Sequence, residues 1–464
     1  MKKSILALIF SGAILFTSCK TEATVDSDEV QKIVDAAVAA ALQNYPNTQV
    51  IADAAAAAAT QAVNAGLASL DINGAIEAAL SAADALANPT VVRVGTGGVT
   101  YISSNTTWTN DKVWLMDGKI VVEDGATLTV EAGTIVKAAA GTGANATVLI
   151  VAKGAKIEAI GTAEKPIIFT DANDQIVYAN GTTSPNRSVT DKGLWGSVII
   201  LGNGIVGAAS GEANIEGVVS GYEFTKYGGS NNAENSGTLK YVSIRHTGTA
   251  VSPGNELQGL TMGGVGSGTV IENIELIGSE DDGIEIFGGA VNVTNIVIAN
   301  FDDDGIDLDQ AYDGTISNAV VIMAPGSDTV FEIDGTEEPN NAIVGEYTIK
   351  NVTAYGRSDA AKFDTFGNWK SDATGFNENV LFVDFPASTT LGGIDSDTYD
   401  GAGTAPIEGK LNFKDFIVVT SDSKATVVGG QVDEASATWI SVSTTRPSSK
   451  GADESVFGWT QFFN

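Results

Sequence analysis

Asn273-Ile274-Glu275-Leu276, followed by Asp281-Asp282-Gly283-Ile284, returns 22 residues later as Asn295-Ile296-Val297-Ile298, followed by Asp303-Asp304-Gly305-Ile306. Asn318-Ala319-Val320-Val321 comes 23 residues after that, and Asn351-Val352 and Asn379-Val380 follow at 33 and 28. Each unit supplies an Asn, a strand, an acidic turn with Gly, and a second strand. Units this short do not bury an apolar face alone, but stacked as coils they share a continuous core and pair strand on strand in parallel. The repeat therefore predicts an all-β chain built as a parallel β-helix, a solenoid. The recurring Asn has two readings: a column of amides bonded from coil to coil, or a turn residue that tolerates left-handed dihedrals. Leucine-rich repeats share the period but need a Leu frame that is missing, and a β-sandwich would not require the repeat.

The same texture extends upstream. Gly125-Ala126-Thr127-Leu128-Thr129-Val130 and Gly154-Ala155-Lys156-Ile157-Glu158-Ala159 are near copies. From Val91 onward, short β-branched runs alternate with Gly, Asn and Asp, so residues 91–464 are assigned to the β-helix with a C-terminal cap. Residues 28–90 differ: Ala dominates, and Ile33, Val34, Ala37, Val38, Ala41 and Leu42 recur at helical spacing. This is expected to be a helical stem, broken at Tyr45-Pro46-Asn47. Residues 28–88 serve either for self-association or as a spacer.

Lys2 and Lys3 precede an apolar run from Ile5 to Phe16 that is too short for a bilayer, which takes about 20 residues. Phe16-Thr17-Ser18-Cys19 resembles the lipobox of bacterial lipoproteins. Residues 1–18 are thus expected to be a signal peptide, Cys19 the attachment point for outer-membrane lipid, and 19–27 a polar linker whose acidic residues point toward cell-surface display.

The chain has 464 residues, with 57 Asp and Glu against 25 Lys and Arg, a formal charge of −32. Losing Lys2 and Lys3 with the signal would leave 23 basic residues and a charge of −34, so the acid excess belongs to the exported part. Nucleic acid is excluded as a partner of a basic face, since phosphate recognition rests on Lys and Arg. One Cys forbids an intrachain disulfide, and one His forbids a multi-histidine metal site.

Gly193-Leu194-Trp195-Gly196-Ser197-Val198-Ile199-Ile200-Leu201-Gly202-Asn203, Asn235-Ser236-Gly237-Thr238-Leu239-Lys240-Tyr241-Val242, the glycine-rich Leu260 to Thr269 stretch, Asp281 to Gly289, and the Trp459-Thr460 ending are similar to signature stretches of a family. The family comprises right-handed parallel β-helix lipoproteins of the Gram-negative outer membrane, and the resemblance covers about residues 95–464. It implies a right-handed coil and an envelope location. It implies no established activity, so no catalytic residue is carried over. The Ala-rich segment departs from the pattern.

The acidic turns carry the candidate site. If Ile284 and Ile286 point inward, Glu285 points outward; the same alternation puts Asp307 and Asp309, then Glu332 and Asp334, outside. Stacked like this, the carboxylates repel one another. Calcium, a hard cation that takes several oxygens, would cancel the repulsion, with Asp281, Asp282, Glu285, Asp303, Asp304 and Asp307 as ligands. A solvated acidic face is the alternative. The third reading is glycan chemistry, because Asp-Asp-Gly resembles a motif of pectinase-type β-helices; the accompanying Gly-His-Gly and Arg-Ile-Lys are missing. Arg245 and Lys362 are the basic groups a lyase would call on, and His246 reads as a turn residue with a structural hydrogen bond. The expected protein is a lipid-anchored envelope module, binding or structural, with calcium as its candidate ligand and polysaccharide or other surface proteins as candidate partners. A polysaccharide lyase or glycoside hydrolase is the alternative.

Overall fold

The computed structural model describes residues 89–178, 181–218, 221–249, 257–336, 343, 345–357, 363, 365–394 and 397–463. The chain divides into two compact units, one of residues 1–90 and 175–185, the other of 91–174 and 186–464. The signal, Cys19 and the expected helical stem to residue 88 lie outside the described residues. The larger unit is the right-handed parallel β-helix.

Among the described residues its strands form a sixteen-stranded and a nine-stranded sheet, both parallel. A small antiparallel pair, Ala213–Asn214 with Lys226–Tyr227, stands apart. One row of the larger sheet runs Val242, Ile274, Ile296, Ala319, Val352, Val380, Phe416, each residue paired with the next. A row of the smaller sheet runs Leu260, Ile284, Ile306, Phe331, Gly367. Inward side chains of both sheets merge into one core that runs from Ile102 to Ile440. Burying aliphatic side chains like these yields roughly 1.5–3 kcal/mol each, so the core is the main source of cohesion.

The two readings of the repeated Asn turn out to be one device. Asn273, Asn295, Asn318, Asn351 and Asn379 all have φ between 56° and 58°. The left-handed corner bends the five strands that carry these residues, and the bend aims the amides along the stack. Asn295 Nδ2 donates to Asn273 Oδ1 at 3.1 Å, Asn318 Nδ2 to Asn295 Oδ1 at 2.7 Å, and Asn379 Nδ2 to Asn351 Oδ1 at 2.7 Å. Asn suits the place because it tolerates a left-handed φ and carries donor and acceptor on one planar group.

Two further segments lie on outward faces. On the smaller sheet, Val206, Ala208, Ile215, Val218, Phe224 and Tyr227 of the stretch 203–235 pack over Val121, Ile150, Ile199 and Phe287. On the larger sheet, the C-terminal segment runs back across the coils: Gly451 N donates to Asn379 Oδ1 at 3.0 Å, Asp453 N to Asn318 Oδ1 at 2.6 Å, and Phe462 N to Glu275 Oε1 at 3.1 Å. Phe457 sits there on Val297 and Val320. Beneath the end of this strap lies a fully buried ion pair, Arg245 with Glu275 at 3.2 Å, and Arg245 Nη1 also donates to Gln461 Oε1 at 2.5 Å. The last coils close with the short helix Lys424–Val428, capped by Ser423, and with Trp439 stacked on Phe413 at 4.4 Å.

Asn295 tests the ladder. Asn295→Gly keeps the dihedral and loses two amide bonds, so it is expected to cost about 1–3 kcal/mol. Asn295→Ala loses the same bonds and adds left-handed strain of about 1–2 kcal/mol. Denaturant unfolding should rank wild type above Gly above Ala, and equal stability of the two variants would show that the dihedral carries no cost.

Candidate cation site at the acidic corner

Asp282 and Asp304 occupy the same place in successive coils, just before the strands Ile284–Phe287 and Ile306–Asp309. Each turns its carboxylate along the stack rather than to solvent. Asp282 Oδ1 accepts from Asp304 N at 2.8 Å, and Asp304 Oδ1 accepts from Thr329 N at 2.8 Å and from the Thr329 hydroxyl. The glycine that follows is fixed by space: a Cβ on Gly283 would collide with Ile298 Cγ2 and lie 2.7 Å from Gly305 O. Asp-Asp-Gly is thus a corner in which the second Asp clasps the next coil.

The strand residues stack as the alternation requires. Thr261, Glu285, Asp307, Glu332 and Asn368 form one outward row. The expected solvent face is the point that fails: Glu285 is only 5% exposed and Asp307 7%, and Asp282 and Asp304 are buried as well. Outward does not mean wet here: Val206, Ala208, Ile215, Val218, Phe224 and Tyr227 pack over Ile199 and Phe287 beside this row. Glu216 of the stretch 203–235 accepts from Gln258 Nε2 at 2.7 Å, and the same amide reaches Asp281 Oδ2 at 3.2 Å. Only the first Asp of each pair meets water, Asp281 half-buried and Asp303 exposed.

Three groups of carboxylates converge, each with ligand oxygens within 4.8 Å of one another: Asp282, Glu285 and Asp307; Asp281, Asp282 and Asp303; Asp303, Asp304 and Asp328. All six residues chosen from the sequence fall in these groups. Asp328 was missed, although aligning Asp328-Thr329-Val330 with Asp303-Asp304-Gly305 would have found it. In the first group, Glu285 Oε2 and Asp307 Oδ1 are buried without a hydrogen-bond partner.

Burial, and then the negative neighbours, push all four buried carboxyls up. Asp282 is raised well above the usual range by desolvation, Asp281 and Asp304; Glu285 by desolvation, Asp307 and Asp282; Asp307 by desolvation, Asp309 and Asp282. Asp304 is raised to about 8 by desolvation, against the opposing hydrogen bond from Thr329. Among the described residues no Lys or Arg forms an ion pair with these four. The nearest compensation is at the margins, where Lys370 Nζ meets Glu332 Oε1 at 2.5 Å and Asp334 Oδ2 at 3.2 Å, and Lys192 pairs with Asp302. Such an arrangement either holds protons or takes a hard cation.

The remaining sequence candidates lie elsewhere. Arg245 is committed to Glu275, and His246, buried with φ of 65°, makes its Nδ1 bond to Asp191 O at 2.7 Å. Lys362 lies outside the described residues. Trp195 is a core residue whose Nε1 donates to Arg245 O, and Gly264, with φ of 59°, marks the glycine-rich stretch as a turn.

Protonation of this corner is measurable without any ligand. The folded state holds protons that the unfolded chain releases near pH 4, so wild type loses stability as pH rises toward Asp304's value of about 8. Asp304→Asn keeps the acceptor for Thr329 and removes the titration. In chelator, its thermal stability relative to wild type should grow from pH 4 to pH 8 by at most about 5 kcal/mol and then level off. A difference independent of pH would mean that Asp304 ionises normally.

A family model described as a pectate-lyase-like β-helix domain matches residues 100–463. No curated protein and no solved structure matches the chain. The family match spans everything after residue 99 except the last residue, in agreement with the coils and registers described above; the chain belongs to the pectate-lyase-like β-helix family.

Proposed function

We propose that this is a lipid-anchored protein of the outer membrane whose β-helix is a binding or structural module, with calcium held at the acidic corner. The observation that carries the cation reading is the convergence of Asp282, Glu285 and Asp307 within 4.8 Å, two of them with a buried oxygen that no protein donor satisfies. A doubly charged ion with oxygen ligands supplies what the protein leaves out. Lys2, Lys3, the apolar run to Phe16 and the sole cysteine at Cys19 support export and anchoring.

A module is favoured over a lyase or glycosidase by two features. The outward face of the smaller sheet between Val121 and Phe287 is occupied by the protein's own stretch 203–235, so a polymer has no open groove along it. Lys370, one of the described bases at the margin of the carboxylates, is held protonated: burial would lower its pKa, but the hydrogen bond to Glu332 and the charge of Asp334 raise it further than burial lowers it. A protonated amine does not abstract a proton.

Calcium titrated into chelator-stripped protein at pH 8 should bind with a Kd of about 0.1–1 mM, the range of extracellular modules, and raise the melting temperature. In the double variant Glu285→Gln, Asp307→Asn the calcium response should vanish, while the metal-free melting temperature should equal or exceed that of wild type, since two uncompensated charges are gone. No heat and no shift at several millimolar calcium would end the cation reading. Separately, Cys19→Ser should move the protein from the membrane pellet to the soluble envelope fraction and abolish incorporation of labelled fatty acid; an unchanged pellet would remove the anchor.

A further inference from the structure

His246, Gly278 and Asn300 stand one above another in successive coils, between the register rows Arg245, Ile277, Ala299 and Thr247, Ser279, Phe301. All three are left-handed, with φ of 65°, 75° and 59°. In this second column of corners the side chains bond not to one another but to a separate piece of chain. Asn300 Nδ2 donates to Val189 O at 2.9 Å, and His246 Nδ1 bonds to Asp191 O at 2.7 Å. Gly278 between them makes room, since a Cβ there would lie 2.1 Å from Asp191 O. Residues 187–194 are thus a clasp laid across three corners. It is pinned further by Gly193 N to Thr247 O at 2.7 Å, Leu194 N to His246 O at 2.9 Å, and Lys192 to Asp302.

Of the three corner residues only His246 titrates. A carbonyl oxygen only accepts, so the bond to Asp191 O places the ring proton on Nδ1. A second proton must go to Nε2, which is buried and has no hydrogen-bond partner among the described residues. The charged groups around the ring are already committed. On its own strand, Arg245 pairs with Glu275. At the end of the strand Ile167–Asp171, Asp171 accepts from Arg187 Nε at 2.7 Å, and Asp174 Oδ2 from the Thr170 hydroxyl at 2.8 Å. On the clasp, Asp191 Oδ2 accepts from Ser188 N at 3.2 Å and lies 3.8 Å from Arg187 Nη1. Glu280 of the next coil lies against Gly193. None of these carboxylates bonds to Nε2, so an imidazolium here is a buried charge with one donor left over. Burial, the largest influence, lowers the ring's pKa; the bond to Asp191 O opposes it, Arg245 adds to it, Asp174 and Asp171 oppose it, and the net direction is down.

We infer that His246 makes the clasp an acid-sensitive latch: a proton taken at Nε2 breaks the fit at the corner and lifts residues 187–194 from the coils. With the clasp lifted, the ring meets water and takes its proton near the ordinary value of about 6.5; with the clasp closed, it does so only at lower pH. The closed form is therefore favoured above that value and loses ground as pH falls through it. The acidic corner responds in the opposite sense, because its protons stabilise the folded state. Lifting frees Lys192 from Asp302 and uncovers Glu280, on the flank of the acidic turns. The latch stands whether or not that corner holds a cation.

The test uses the untagged full chain in chelator, where His246 is the sole imidazole. Hydrogen exchange is read by mass spectrometry at pH 7.5 and pH 5, each rate expressed as protection relative to an unfolded chain at the same pH. Protection of residues 191–194 should fall about tenfold, and no more than about thirtyfold, the limit for a group that takes its proton at about 6.5 when free. The strand residues 274–277 and 296–299 should keep theirs. In His246→Asn, whose amide offers Asp191 O a donor as Asn300 does Val189 O, the fall should vanish. Nitrogen-15 NMR of wild type needs no variant to fold: the ring should be the Nδ1–H tautomer at pH 7.5 and should take its second proton below about 6.5, over the interval in which the clasp loses protection. Unchanged protection at pH 5, an equal fall in His246→Asn, an Nε2–H tautomer, or a loss shared by all coils would each overturn the inference.

Discussion

Parallel stacking in register is the constraint on which the rest of this protein depends. Once coils pair strand on strand about 4.8 Å apart, every repeated residue is laid on a copy of itself. For isoleucine this is favourable, and rows such as Ile274 on Ile296 or Ile284 on Ile306 form the core. For asparagine it is favourable too, because the amide donates and accepts at once, as Asn295 does between Asn273 and Asn318. For a carboxylate it is costly: two like charges at that spacing cost about 1 kcal/mol in water and about 3 at an effective dielectric of 20.

The acidic corner is a set of answers to that cost. Asp282 and Asp304 accept backbone N–H groups of the next coil, which gives each a donor that does not need to be a cation. The row is broken at Thr329, where a hydroxyl replaces the third Asp. Glu332 and Asp334 share Lys370. Glu285 and Asp307 receive none of these remedies, and they are the pair with unsatisfied buried oxygens. The site is thus marked by what the surrounding structure does not do for two residues, rather than by acidity, which the whole chain has in excess.

The parts legible in the sequence were those that the period writes down. A 22-residue repeat gives the coil, alternation gives the inward and outward rows, and recurrence at one phase gives Asn273 and its copies a common corner. Alternation says which way Glu285 points, but carries no information on what lies there. Beside its row packs the stretch 203–235, which has no periodic partner and reads as Gly- and Asn-rich connection. The strap is invisible for the same reason: Phe462 and Glu275 are 187 residues apart, and no pattern along the chain relates them. Lone residues mislead in the opposite direction. His246 draws attention by being unique, yet it lies inside the strand Gly237–Thr247 rather than in the turn expected for it, and its left-handed φ and its bond to Asp191 O give it a structural place there.

The covering stretch and the unsatisfied carboxylates bear on each other energetically. On an open face, water would solvate Glu285 and Asp307, their repulsion would be screened, and neither a proton nor a cation would be required. Burial of Glu285 and Asp307 removes the water and raises the cost of each charge, so the buried state depends on something that neutralises them. Glu216 adds a further negative charge from the covering side, and it contributes to raising the pKa of Glu285. A carboxylate placed there works against the cover in the absence of a cation and for it in its presence. The same residues therefore make the covering of this face respond to whatever neutralises them, be it a proton or a cation.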